Sequence, residues 1–207
     1  MASPKSPFLV YREFLSPKLC EQIIYNLNIY SPDVDKEGKP LRVLRTHEKS
    51  EELIFDRFQT TMPLMQDHYK YDHQGTELVS FEYYAEGVES KHQCENSVWT
   101  KAKKWARVRN RDFTCLLFLN TYQDQVPFDN DFEVYGGKLE FPQHNFGFNP
   151  ERGTLIVFPS GPHFINVVAP VIAGELYVAR WHVAALSPYL YQPVNFPGDY
   201  RSWFKDL

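Results

Sequence analysis

The segment Thr154-Leu-Ile-Val-Phe158, closed by the turn Pro159-Ser-Gly-Pro162 and followed by His163, decides how this chain is read. An apolar run this short, rich in β-branched and aromatic residues and flanked by Gly and Pro, reads as a buried strand. Outward from it, Leu78–Tyr84, Thr114–Leu119, Lys138–Phe141 and Val167–Val183 have the same character, the last interrupted at Gly174. Short strands at this spacing, joined by Gly/Pro turns, predict an antiparallel sandwich or barrel. Upstream the pattern changes to that of helices. Ser16 as cap, Pro17 at the first position and the stripe Leu19, Ile23, Ile24 and Leu27 predict one helix. Ser50 as cap, Glu51 and Glu52 in the first turn, and Leu53, Phe58 and Met62 facing inward predict a second, which Pro63 should kink or split. The breaker-rich stretch 31–40 would link the two. The expected fold is mainly β with flanking helices: a jelly roll (double-stranded β-helix) supported by N-terminal helices.

The chain has 207 residues, enough for a single domain with its own core. The expected organisation is helical support over 1–75, a jelly-roll core over 76–185 and a C-terminal extension over 186–207. Fifteen Pro, ten Gly and sixteen Phe favour turns and sheet over a helical bundle or a coiled coil. A net charge of −4 supplies no global drive toward nucleic acid or anionic membrane, and neither is expected as a partner. No apolar run reaches the roughly 18–20 residues of a membrane span, and the opening residues lack the apolar stretch of a signal peptide. Three cysteines (Cys20, Cys94 and Cys115) are too few for a disulfide framework, so a reducing, cytoplasmic setting is expected.

Of seven histidines, His92 and His163 stand out, because each follows an expected strand. A jelly roll can bring two strand ends to one mouth. Two His and a carboxylate there would make a face with open positions on non-haem Fe(II). The ordered set Tyr84, Gly87, His92, Glu95-Asn96, Arg111, Thr114, Leu119-Asn120, Gly136-Gly-Lys-Leu-Glu-Phe141, Pro150-Glu-Arg-Gly153, Phe158-Pro-Ser160, His163, Pro170-Val171 and Gly174 carries more than any of its parts. In this order it resembles the prolyl-4-hydroxylase-like branch of the Fe(II)/2-oxoglutarate-dependent dioxygenases.

The resemblance implies Fe(II), with 2-oxoglutarate and O₂ as co-substrates and ascorbate as an optional addition. It implies hydroxylation of a peptidyl or amino-acid side chain, with a peptide or small molecule as primary substrate. Carried onto this chain, the metal ligands would be His92, Glu95 and His163, and the co-substrate would meet Arg180, Tyr84 and Thr114. Arg180 shares a strand face with Leu176 and Val178, and its planar fork suits a carboxylate. Tyr83 points away from Tyr84, so only one of the two should line the site.

The chain departs from that family at two places. The family spaces its first His and its acid two residues apart, whereas two residues after His92 stands Cys94, with Glu95 next. Counted back from Asn96, Glu95 takes the acid's place and Gln93 the histidine's. Glu95 is preferred to Cys94, because a thiolate beside Fe(II) and O₂ invites oxidation. The family's second His stands four residues before the Pro-Val pair, a position that is Asn166 here. His163 is the only histidine nearby, and His182 and His144 are next in line. The competing expectation is a jelly-roll binding module in which Asn166 marks a lost ligand. Two further segments call for a role. The run from Lys101 to Arg111 is basic around Trp105 and could meet phosphates or an acidic substrate. The long connection 121–135 carries Phe128, Phe132 and Tyr135 and is expected to fold as a lid.

Overall fold

The computed structural model describes residues 5–27, 34–38 and 41–204. In chain order, β1 (Leu9–Tyr11) precedes α1 (Pro17–Leu27), and β2 (Val43–Arg45) precedes α2 (Glu48–Tyr69). Next come β3 (His73–Thr76), β4 (Ser80–Tyr84), β5 (Ser97–Trp99), β6 (Trp105–Arg107), β7 (Phe113–Phe118), β8 (Thr121–Tyr122) and β9 (Glu133–Gly136). The order ends with β10 (Leu139–Phe141), β11 (Phe146–Phe148), β12 (Leu155–Pro159), β13 (Val167–Val168), β14 (Val171–Gly174), β15 (Leu176–Ala185) and the short α3 (Tyr200–Trp203).

The major sheet runs β1-β12-β7-β15-β4-β2, with β3 also paired to β15. Two three-stranded sheets, β11-β10-β13 and β14-β9-β8, accompany it. The pairing is antiparallel throughout, except between β8 and β9. This is the jelly-roll class the strand spacing predicts, although the described strands do not join into one closed barrel. Every residue of β7 and β12 is buried, as their unbroken apolar runs require. Such strands need cover on both faces. On one side α2 supplies it: Trp181 of β15 meets Phe58 edge-on at 5.3 Å, and Tyr69 lies against Phe113 at 4.5 Å.

The helices follow the sequence with shifts. In α1 the Ser16 hydroxyl accepts from the Leu19 amide at 3.4 Å, and Cys20, Ile23 and Leu27 form the buried face, with Leu19 and Ile24 beside it. In α2 the cap is His47, not Ser50: its Nδ1 accepts from the Ser50 amide at 3.3 Å, so the helix begins three residues earlier. Its buried stripe is Ile54, Phe58, Thr61, Met65 and Tyr69, which moves Leu53 and Met62 to the flank. Pro63 sits inside α2 on an exposed position and does not split it. The first third also contains β1 and β2, which are too short to show a period. Part of the expected linker at 31–40 lies outside the described residues.

The connection 121–135 is not a lid over the centre of the major sheet. Phe132 meets Tyr25 of α1 at 5.7 Å and lies beneath Arg152, while β9 pairs with β14 on the flank. Packing against α1 and Arg152 accounts for Phe132, and the ends of the segment, β8 and β9, pair in parallel rather than as a hairpin.

Candidate functional site

The site is built where β4 and β15 run side by side, with Val178 opposite Glu82 and Arg180 opposite Ser80. Strand alternation then sends Glu82, Tyr84, Arg180 and His182 to one face. Tyr83 and Tyr177 go to the other, where both hydroxyls donate to Glu175. A third contribution comes from the chain after β4. There Gln93 and Asn166 bridge two backbone segments through Gln93 N–H to Asn166 O at 2.8 Å and Asn166 N–H to Gln93 O at 3.0 Å. This bridge sets Glu95 beside β15.

At the centre lies the guanidinium of Arg180, a residue only 4% exposed. Its Nε donates to Glu82 Oε1 at 3.0 Å, and its Nη1 donates to Glu95 Oε1 at 3.0 Å and to Asn166 Oδ1 at 3.2 Å. Its Nη2 is buried without a partner among the described residues. Tyr84 donates its hydroxyl to Glu82 Oε2 at 2.5 Å, and Arg42 stands 3.6 Å from Glu82. In the amide orientation that satisfies both of its neighbours, Gln93 donates to Glu95 at 3.0 Å and accepts from Arg42 at 3.1 Å. His182 lies between two carboxylates, Nδ1 at 3.3 Å from Glu77 and Nε2 at 3.3 Å from Glu95. The second contact is at ion-pair distance but too poorly aligned to satisfy Nε2 as a hydrogen bond. Arg111 reaches both acids, Glu77 at 2.6 Å and Glu95 at 3.6 Å.

The electrostatics follow from this crowding. Burial pushes the Glu95 carboxyl up, but the His182 contact and the charges of Arg180, His182 and Arg111 outweigh it and hold it at about 2. Contact with His182 holds Glu77 at about 2 despite partial burial, with Arg111 adding to the effect. Burial works against the charge on Arg180, yet Glu82 and Glu95 raise its pKa above the usual arginine value. Burial, and then the Glu82 charge, raise the Tyr84 phenol, which stays a donor. The site is a network of fixed charges, with each buried carboxylate already paired. An open cleft of about 430 Å³ leads into it, lined at the rim by Arg109, Arg111 and Glu77. A larger cleft, about 1040 Å³, lies elsewhere, between the start of α1 and α2, and shares no residue with the cluster.

The residues expected from sequence divide sharply. Glu95, Arg180 and Tyr84 come together at the centre, whereas the expected trio of His92, Glu95 and His163 does not. His92 is exposed in a different cleft beside Gly87 and Val167. His163 is exposed against Tyr191, with its carbonyl facing His144 Nε2 at 2.8 Å. Cys94 turns its Sγ to Ser160 O at 3.7 Å, and burial raises its thiol. Thr114 is buried and shares a hydrogen bond with Ser160 at 2.8 Å instead of reaching the cluster. Among the described residues, no group of three or more His, Cys, Asp or Glu side chains is arranged to hold a metal. Sequence reading passed over Glu82, although a charge two residues before Tyr84, on the same face of a buried strand, was a visible signal. Arg42 and Glu77 carried no such signal, because only strand pairing brings them here.

A helix-backed jelly roll with a charged centre at the β4–β15 seam defines a class: the chain has the fold of the prolyl-hydroxylase-like 2-oxoglutarate oxygenases. The likeness lies in structure rather than sequence, since no protein-family profile and no curated protein matches the chain. The viral collagen prolyl hydroxylase of Paramecium bursaria Chlorella virus-1, in its 2-oxoglutarate complex, superposes with a TM-score of 0.63. It is 17% identical, over 88% of this chain and 97% of that one. A Trichoplax adhaerens prolyl hydroxylase, in complex with a hypoxia inducible factor oxygen degradation domain peptide fragment, gives 0.59 at 14% identity over 86% and 84%. A Pseudomonas putida prolyl-4-hydroxylase gives 0.59 at 14% identity over 88% and 94%.

Iron is the group this fold implies, and the residues present do not fit it. Gln93, Glu95 and Asn166 offer two neutral carboxamides and one carboxylate, where Fe(II) prefers imidazole and carboxylate donors. The carboxylate is already bonded to Arg180, whose Nη1 lies between Glu95 and Asn166. A divalent ion about 4 Å from a guanidinium would meet a repulsion of roughly 8 kcal/mol at an effective dielectric of about 20. His182, the one imidazole in the cluster, has a carboxylate at each nitrogen.

Proposed function

We propose that this chain is a metal-free binding module on a prolyl-hydroxylase-like fold, with the Arg180 guanidinium as the fixed cation at its centre. The observation that carries this reading is the Arg180 contact set: Glu82, Glu95 and Asn166, each within 3.2 Å. A side chain so bonded orients its neighbours, and the charged rim of Arg109, Arg111 and Glu77 is what a ligand meets. Three free cysteines, two of them buried, support a reducing compartment, and no helix among the described residues is long and apolar enough to cross a membrane.

The rival reading is an Fe(II)- and 2-oxoglutarate-dependent hydroxylase of a peptidyl or amino-acid side chain. Its support is the fold and the names of the structural neighbours. It would take His92, Glu95 and His163 to the metal, and Arg180, Tyr84 and Thr114 to 2-oxoglutarate, and it requires the two exposed histidines to move inward. One experiment separates the two. Under anaerobic conditions Fe(II) with 2-oxoglutarate should give no visible metal-to-ligand charge-transfer band, and in air no succinate should form. A band lost in His163→Ala, together with succinate release, would replace the binding module with the dioxygenase.

A further inference from the structure

The hairpin of β5 and β6 takes no part in the charge cluster, yet it carries most of the basic run. It pairs with no other strand of the described sheets. Its base is anchored by Arg107 on the buried Asp112 at 2.9 Å, and by the amides of Val108 and Arg109 on the Asn96 carbonyl. Isolated two-stranded hairpins are marginal in water. This one places Trp99 directly opposite Trp105, ring centroids 5.5 Å apart and planes at 69°. The pair stays in solvent, with Trp99 59% exposed and Trp105 37%. From Ser97 to Arg111 there are six Lys and Arg and no Asp or Glu, in a chain whose net charge is −4. Arg107 is neutralised by Asp112, and Arg111 by Glu77 and Glu95. Lys101, Lys103, Lys104 and Arg109 have no carboxylate partner among the described residues.

We infer that this hairpin is a docking site for an acidic segment of a partner protein, one that brings an apolar side chain to the Trp99–Trp105 pair. Charge complementarity requires an anionic partner. One feature makes that partner a polypeptide rather than a nucleic acid. Rings set edge to face leave a notch for one side chain, whereas a strand of bases stacks on ring faces offered in succession. The inference names a partner for the binding-module reading but rests on the hairpin's own residues, so a metal found in the barrel would leave it standing.

The test uses the full chain and a short labelled peptide of Glu and Asp with one central Leu, followed by fluorescence anisotropy. The peptide should bind, with affinity falling as salt rises. The triple change Lys101→Glu, Lys104→Glu and Arg109→Glu should weaken it by at least about tenfold. All three side chains are exposed, so the fold should persist, with an unchanged melting curve as the check. Trp99→Ala should also weaken binding, and the same peptide with Lys in place of its acids should not bind. Failure of the acidic peptide to bind, or equal affinity in the charge-reversed protein, would overturn the inference. So would tighter capture of oligo(dT), or of phosphatidylserine vesicles, through the same residues.

Discussion

Arg180 shows how one residue sets the character of the centre. A buried guanidinium costs several kcal/mol of desolvation and persists only where carboxylates compensate it. Here Glu82 and Glu95 do so from two separate parts of the chain. The arrangement has a pH signature. Glu95 protonates at about 2 in the folded protein and near its ordinary 4.5 once unfolded. A lowered carboxyl pKa adds stability that is complete above the unfolded value and is lost as pH falls through the folded one. That difference amounts to something on the order of 3 kcal/mol. Glu77 titrates in the same window with less effect, because its side chain is 44% exposed. Denaturant unfolding from about pH 5 down to about pH 3 should therefore show stability falling, and Glu95→Gln should flatten that slope. An equally steep slope in the variant would mean that Glu95 is not held in its ionised pair.

At the scale of elements, the junction between α1 and the turn before β12 is fixed by one glycine. Gly153 has φ +81, and a Cβ there would run into the Leu15 carbonyl, while the Leu15 amide donates to Gly153 O at 3.2 Å. Gly87 has nearly the same backbone, φ +79, but open space around it. Gly87→Ala should cost only the left-handed penalty, about 1–2 kcal/mol. Gly153→Ala should cost clearly more, because the helix start has to move as well. Equilibrium unfolding of the two variants reads the difference directly, and equal losses would show that the turn yields without disturbing α1. Helix limits follow the same local logic. The α1 stripe and its Ser16 cap were visible in sequence, because i, i+3 and i+4 spacing is a property of neighbours along the chain. The start of α2 was misplaced because a histidine ring nitrogen does the capping, a role more often filled by Ser, Thr, Asp or Asn.

Across the whole molecule, the two ends of the described chain meet in one aromatic cluster. Phe8 lies 6.2 Å from Trp203 and 5.5 Å from Phe164. Tyr189 packs on Phe113 at 4.7 Å, and Tyr191 on Phe164 at 4.8 Å. Asp112 ties the region after β15 to the sheet, accepting from the amides of Ala185 and Tyr189 at 2.8 and 2.7 Å. The residues after Ala185 are thus part of the core's cover. Ending the chain at Ala185 should destabilise it by at least about 5 kcal/mol, given what truncating buried aromatics costs, and should raise binding of a hydrophobic dye. A truncated protein that melts like the full chain would show the cover to be dispensable.

The sequence by itself determined the longer core strands, the jelly-roll class and the first helix. It also put Arg180 on the inner strand face with Leu176 and Val178, and Tyr84 opposite Tyr83. Each of these rests on a period of 2 or of 3.6, or on a short unbroken apolar run, which neighbouring residues write locally. Only the tertiary structure decided which side chains meet. Glu82 and Arg180 are 98 residues apart, Gln93 and Asn166 face each other across a single bridge, and Arg42 arrives from beside β2. Context in sequence favoured His92 and His163 as ligands. The fold leaves both at the surface, because strand register rather than proximity to a motif sets where a side chain points. Charge pairs across distant strands leave no period behind them, so the pairing of the Arg180 guanidinium with Glu82 and Glu95 becomes visible only once β4, β15 and the segment around Glu95 are placed together.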